Sequence, residues 1–201
     1  MTHYYSEKQK SPLNLKKINI RLKTTVIELY SASGVFSKDK VDKGSKLLIE
    51  NAIIDEDTKI LDFGCGIGVV GISLKLSNPS ISVTMLDVNK RAVKISKMNV
   101  KLHKLNAMIV KDSNLYLKVE GKFDSILVNP PQTAGKELCM KIISESVNYL
   151  TKNGTFQLVA RHNKGGSEFE KRMQKIFGNV KQIAKGSGFR VYISKFLPKE
   201  S

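Results

Sequence analysis

The chain has 201 residues, 41% of them hydrophobic, which suits one domain built on a single core. It carries 34 Lys+Arg against 18 Asp+Glu, a formal net charge of +16, and an excess of that size favours polyanionic partners. No apolar run approaches the roughly 18 residues that cross a bilayer, and "MTHYYSEKQKSPLN" has no apolar signal-peptide middle, so a cytosolic protein with no membrane partner is expected.

In chain order, residues 18–30, "INIRLKTTVIELY", are rich in β-branched side chains and read as a strand, and "SASGVFS" turns through Gly34 into a short second one. "DKGSKLLIENAI" (42–53) has apolar residues at helical spacing and predicts a helix, with Asp55 and Asp57 marking the turn behind it. Residues 1–57 are therefore expected to form an N-terminal hairpin-and-helix extension, and 58–201 the main domain. From Lys59 the pattern predicts strand 59–63, a glycine loop, helix 69–77, strand 81–87, helix 89–104, strands 107–111 and 123–128, helix 136–150, strand 154–160 and helix 166–177. Two last strands, 179–184 and 189–195, are joined by "KGSG", too short for a crossover helix, so they pair antiparallel. Strands alternating with helices imply a mainly parallel α/β sheet of seven strands, covered on both faces.

The charge is uneven: residues 58–201 hold 24 basic and 10 acidic side chains, against 10 and 8 in residues 1–57. Lys90, Lys94, Lys97, Lys101 and Lys104 recur at spacings of three and four, one cationic stripe on a helix, which is either a solvated outer face or a phosphate contact. Cys65 and Cys139 are far apart, and His3, His103 and His162 form no ligand cluster, so two core or loop thiols and no metal are expected.

Two patterns overlap in "ILDFGCGIGVVG" (60–71). Gly66, Gly68 and Gly71 spell the dinucleotide fingerprint, whereas Asp62, Gly64, Gly66 and Gly68 spell D-x-G-x-G-x-G, associated with S-adenosylmethionine (SAM). Under either, glycines let backbone approach a ligand at a helix N-terminus. Asp62 would oppose a pyrophosphate yet can help hold the ammonium of a methionine moiety. Asp87, closing "VTMLD", can accept both ribose hydroxyls and serves either cofactor. Further on, a hydrophobic strand ends at Val128 and runs into Asn129-Pro130-Pro131, placing an amide and two fixed prolines at the carboxyl edge of the sheet, where α/β ligand sites lie.

With "SASGVFSKDKVDKGSKLLIENA", "ILDFGCGIGVVGI", "LDVNKRAVKISKMNV", "VNPPQTAGK" and "GFRVYISK" in this order, the sequence resembles the Rossmann-like class I SAM-dependent methyltransferases with an N-P-P motif, most closely the small-subunit ribosomal RNA guanine-N2 methyltransferases. Bacterial members of that kind carry a second domain ahead of the catalytic one, so this chain resembles compact archaeal members. The resemblance implies a sheet whose last strand is antiparallel, SAM as cofactor, and RNA or a small ribosomal subunit as partner. It implies a cofactor site of Asp62, Gly64, Gly66, Gly68, Asp87, Asp112, Ser113 and Asn129, with Asn114 an alternative to Asp112. It further implies that the Asn129 side-chain oxygen and the Pro130 carbonyl each accept an N–H of the target amine, turning its lone pair toward the methyl group. Pro131 and Gln132 would line the substrate side. The family often has an aromatic where Gln132 stands, so Phe36, then Phe189, are the candidates to stack on a flipped base, with a core position the stronger reading for Phe189. Two other readings stay open: glutamine-amide methylation of a translation release factor, and a non-catalytic RNA-binding assembly factor with a vestigial SAM site.

Overall fold

A computed structural model describes residues 12–35, 41–130 and 135–198. Strands β1 (Leu15–Arg21) and β2 (Val26–Ala32) pair antiparallel, from Leu15 opposite Ala32 to Arg21 opposite Val26. Their turn lies at residues 22–25, closed by the Leu22 N–H donating to the Thr25 carbonyl at 2.9 Å. It therefore falls inside the stretch expected to be one strand, and Gly34 follows the hairpin instead of joining its halves. The reason is physical: Thr24 and Thr25 are strand-favouring residues at a turn, with no Gly, Pro or Asn to betray it. Period-two alternation then buries Ile18, Ile20, Ile27 and Leu29 on one face.

Helix α1 (Lys43–Asn51) starts at the Asp42 cap. There follow β3 (Lys59–Phe63), α2 (Val69–Ser77), β4 (Ser82–Asp87), α3 (Lys90–Leu102), β5 (Met108–Asp112) and β6 (Phe123–Val128). Next come α4 (Lys136–Glu145) with a 3-10 turn at Ser146–Tyr149, β7 (Leu150–Arg161), α5 (Ser167–Phe177), β8 (Lys181–Gly186) and β9 (Phe189–Lys195). The seven-stranded sheet has the order β5-β4-β3-β6-β7-β9-β8. β9 runs antiparallel to both its neighbours and every other pairing is parallel. This is the Rossmann-like methyltransferase sheet, with β1 and β2 as a separate two-stranded sheet.

Alternation along the strands feeds two cores. Ile60, Met85, Leu127 and Val159 point to the face covered by the hairpin, α1, α2 and α3. Leu61, Leu86, Ile126, Val128 and Leu158 point to the face covered by α4 and α5. Cys65 lies in the first core and Cys139 in the second, both as free thiols. Among the described residues no helix is long and apolar enough to cross a membrane, and no group of three or more His, Cys, Asp or Glu could hold a metal.

Candidate functional site

The strand order reverses between β3 and β6, which is where an open α/β sheet leaves a crevice at its carboxyl edge. Phe63 of β3 is paired with Leu86 of β4 and with Val128 of β6. One residue further, Gly64, Asp87 and Asn129 therefore leave the sheet on a single row. Around it opens a cavity of about 230 Å³, its wall including Asp62, Gly64, Gly66, Asp87, Ser113, Asn114 and Asn129.

The glycines divide into two pairs. Gly64 and Gly66 have φ of +74° and +58°, and a Cβ on either would meet no protein atom within 4 Å, so both keep backbone bare toward the cavity. Gly68 and Gly71 answer to packing. A Cβ on Gly68 would lie 2.8 Å from Ile72 Cδ1 and Ser96 Oγ, and one on Gly71 would lie 2.8 Å from Met85 Sδ and 3.1 Å from Asp62 Oδ2. Gly68, expected to touch the cofactor, does not line the cavity and instead seats α2 on α3.

Asp62 is 2% exposed and accepts the Gly71 N–H at 2.9 Å. Burial pushes its carboxyl up to about 7; the Gly71 bond opposes the shift and the nearby Asp87 charge adds to it. The carboxylate thus consumes a first-turn amide of α2 and puts negative charge beneath the loop, both hostile to a pyrophosphate. Asp87 accepts the Gly66 N–H through Oδ2 and the Asn89 N–H through Oδ1, both at 2.8 Å. Burial raises its carboxyl too. Each oxygen retains acceptor capacity beyond these bonds.

Asn129 is half-buried, with Pro130 buried behind it. Its Nδ2 donates to Asp42 Oδ2 at 3.0 Å and to Ser45 Oγ at 2.9 Å. Asp42 meanwhile caps α1, its Oδ1 accepting the Gly44 N–H at 2.8 Å and its Oδ2 the Ser45 N–H at 3.2 Å. Sequence reasoning gave Asp42 and Ser45 no part in the site. Their signal is a capping residue just before the apolar spacing of "KLLIEN", but the bond to Asn129 spans 87 residues.

Besides Gly68, two further expected site residues stand elsewhere. Asp112 does not line the cavity: the Lys118 ammonium, 2.6 Å away, draws its side chain outward and holds its carboxyl below the usual range, whereas Ser113 and Asn114 do line the wall. Phe189 is 5% exposed in the core. Its ring packs so close to α1 that a Cβ on Gly44 would sit 2.9 Å from Phe189 Cε1, and the Arg161 guanidinium lies over it, 4.7 Å from the centroid. A buried ring under a guanidinium has no face for a base. Phe36, Pro131 and Gln132 lie outside the described residues.

β7 ends and β9 begins on this same edge, Arg161 opposite Phe189. The loops beyond them enclose a cleft lined by Arg161, His162, Lys164, Lys185 and Arg190, with no carboxylate on its wall. None of its Arg and Lys side chains has an ion-pair partner among the described residues. The α3 lysines Lys94, Lys97 and Lys101 border a separate shallow surface with Asp112 and are solvent-exposed.

Residues 26–193 match the methyltransferase small domain family. A relative from Bacillus subtilis strain 168, the uncharacterized protein YbxB, is 34% identical over 196 residues, covering 96% of this chain and 98% of that protein. Ribosomal RNA small subunit methyltransferase C of Hamiltonella defensa is 31% identical and covers 94% of this chain, but 56% of its own length. The enzyme of that name from Shewanella amazonensis is 28% identical over 90% of the chain and 53% of its own. The chain thus spans about half the length of these ribosomal RNA methyltransferases. Among solved structures, the T. thermophilus 16S rRNA N2 G1207 methyltransferase (RsmC), in complex with AdoMet and guanosine, superposes with a TM-score of 0.79 at 20% identity, covering 94% of this chain and 52% of that one. The fold and the switch-point cavity define a class I methyltransferase. The chain belongs to the methyltransferase small domain family and its cofactor is S-adenosylmethionine.

Proposed function

We propose that the chain transfers the methyl group of SAM to the exocyclic N2 amine of a guanine in small-subunit ribosomal RNA. One observation carries the reading. Asn129, an amide at the end of a buried strand, stands on the same row as Gly64 and Asp87, so a nucleophile held by it lies beside whatever the glycine loop holds.

The residues fit SAM. Gly64 and Gly66 leave space along the backbone, Asp87 has acceptor capacity for the ribose hydroxyls, and Asp62 supplies negative charge where a methionine ammonium would sit. Ser113, and Asn114 in place of Asp112, line the cavity and would stand beside the adenine. SAM supplies an electrophilic methyl group on a sulfonium. The amine of guanine is a poor nucleophile because its lone pair is delocalised into the ring, so the protein's task is positioning. The Asn129 oxygen and the Pro130 carbonyl each accept one N–H, pyramidalising the nitrogen and stabilising the positive charge it gains. The methyl carbon would pass from the sulfonium sulfur to the nitrogen held by Asn129 and Pro130, leaving the neutral thioether, and the surplus proton on that nitrogen would go to water without a dedicated base.

RNA as the acceptor is supported by the relatives of which the chain spans about half, which are ribosomal RNA methyltransferases, and by the cationic cleft beside α1. The test is incubation of the protein with methyl-labelled SAM and, separately, small-subunit ribosomal RNA, assembled small subunits and a release-factor protein. Label in RNA, released on digestion as N2-methylguanosine, is expected. Label on a protein glutamine, or none anywhere, overturns the reading.

A further inference from the structure

The Asn129 amide is held at one end only. Its Nδ2 donates to Asp42 Oδ2 and to Ser45 Oγ, and the Ser45 hydroxyl donates its own hydrogen to that same carboxylate oxygen. An ionised carboxylate has lone pairs and no hydrogen, and a hydroxyl that has given up its hydrogen has only lone pairs left. Both partners of Asn129 are therefore acceptors. Turned over, the amide would set its oxygen against the Asp42 carboxylate oxygen at about 3 Å, and Ser45 could meet it only by withdrawing its hydrogen from that carboxylate, so the flipped form loses hydrogen bonds and adds repulsion. So the nitrogen is compelled to face α1 and the oxygen to face away from it, on a residue that lines the cavity. Among the described residues, nothing donates to that oxygen.

We infer that Asp42 and Ser45 are positioning residues that lock the Asn129 amide with its oxygen toward the acceptor nucleophile, and so select a nucleophile that brings N–H hydrogens over one that offers only lone pairs. The inference rests on the reading of Asn129 as the residue that holds the target amine. It makes the cap of α1 a second element of the site: Asp42 caps the Gly44 and Ser45 N–H groups and, through Oδ2, also takes the Ser45 hydroxyl and the Asn129 amide. A Cβ on Gly44 would lie 2.9 Å from both Asp42 Oδ1 and Phe189 Cε1, so a side chain there would press on the carboxylate that sets the amide as well as on the Phe189 ring.

Asn caps helices as well as Asp does, so Asp42→Asn keeps the cap while offering Asn129 either a donor or an acceptor. Single-turnover methyl transfer to small-subunit ribosomal RNA should then fall about 10- to 100-fold, the scale of a small misplacement at a reacting centre, with SAM affinity within about twofold and an unchanged melting temperature. Asn129→Asp sets two carboxylates side by side and should be as slow as Asn129→Ala at pH 8. The exchanged pair, Asp42→Asn with Asn129→Asp, lets residue 42 donate and residue 129 present an oxygen again, and should recover at least about tenfold over Asn129→Asp. A loss in Asp42→Asn with no recovery in the exchanged pair reduces Asp42 to a helix cap and overturns the inference. Full activity of Asp42→Asn beside an inactive Asn129→Ala overturns it alone, whereas full activity of Asn129→Ala overturns the reading beneath it. NMR of the free protein needs no substrate: the Asn129 side-chain NH₂ should be protected from exchange and lose that protection in Asp42→Asn. Fast exchange in the unmodified protein also overturns the inference.

Discussion

Asp62 stands out at the residue scale, because its carboxyl is buried beneath the glycine loop and ionises only near pH 7. A cationic ammonium bound beside it would favour the charged form, so binding SAM should expel a proton from Asp62 below that pH. The sign follows: affinity for SAM rises as pH climbs from about 6 toward about 7.5, until the ammonium itself begins to lose its proton. Titration calorimetry in buffers of differing ionisation enthalpy should show proton release near pH 6.5 that is absent in Asp62→Asn. No proton release in the unmodified protein would remove Asp62 from the ammonium site. For the protein alone the same raised carboxyl acts oppositely. Between the unfolded value of 3.8 and about 7 the folded state holds a proton that the unfolded chain has lost, so this group's contribution to stability falls as pH rises through that window. Asp87→Ala should weaken SAM by about 2–4 kcal/mol, from two charge-assisted hydroxyl bonds. Equilibrium binding checks it, and an unchanged affinity would take the ribose away from Asp87. Asn129→Ala should leave that affinity intact and cost about 10²–10³ in the rate of transfer, read by single-turnover kinetics.

Among the elements, the hairpin is tied to the cofactor loop by a single side chain. Asn99 of α3, wholly buried, accepts the Tyr30 N–H at 2.7 Å and donates to the carbonyls of Tyr30 at 3.0 Å and Ile67 at 2.9 Å. Asn99→Ala strands all three backbone groups and should destabilise the protein by about 3 kcal/mol or more, measured by urea unfolding. Because Ile67 lines the cavity, SAM binding should weaken as well. A loss under about 1 kcal/mol would show that this bridge contributes little to holding the hairpin beside the bonds between His103 and Glu28 and between Lys23 and Glu50. Here the sequence is legible only in part. The elements from β3 to β9 declare themselves through period and punctuation, and the glycine loop and Asn129 fall at strand ends that can be counted. The 22–25 turn does not, since its threonines favour strand. Nor does the contact of Asp42 with Asn129, because a cap signal says where a helix begins and nothing about what reaches it across the sheet.

On the scale of the whole molecule the question is where the net charge of +16 acts. The cleft of Arg161, Lys164, Lys185 and Arg190 lies on the carboxyl edge that bears the cavity, linked to α1 by Phe189 against Gly44. The lysines of α3 instead face solvent, opposite the side on which Ala92, Ile95 and Asn99 are buried. Replacing Arg161, Lys164 and Lys185 by Glu should therefore weaken RNA binding and flatten its log–log salt slope by about two to three, leaving SAM affinity unchanged. The same exchange at Lys94, Lys97 and Lys101 should move the slope less, and an equal effect would return the stripe to the RNA-binding surface. Composition announced a polyanionic partner, but only the fold brings the loops after β7 and before β9 together, which is why the cleft was not legible in sequence. Methyl transfer to guanine N2 of small-subunit ribosomal RNA can be read in cells by mass spectrometry of nucleosides from that RNA, with and without the gene. Deletion should remove one N2-methylguanosine per molecule, restored by the unmodified gene but not by the Asn129→Ala form; an unchanged nucleoside profile would rule out guanine N2 of this RNA as the acceptor.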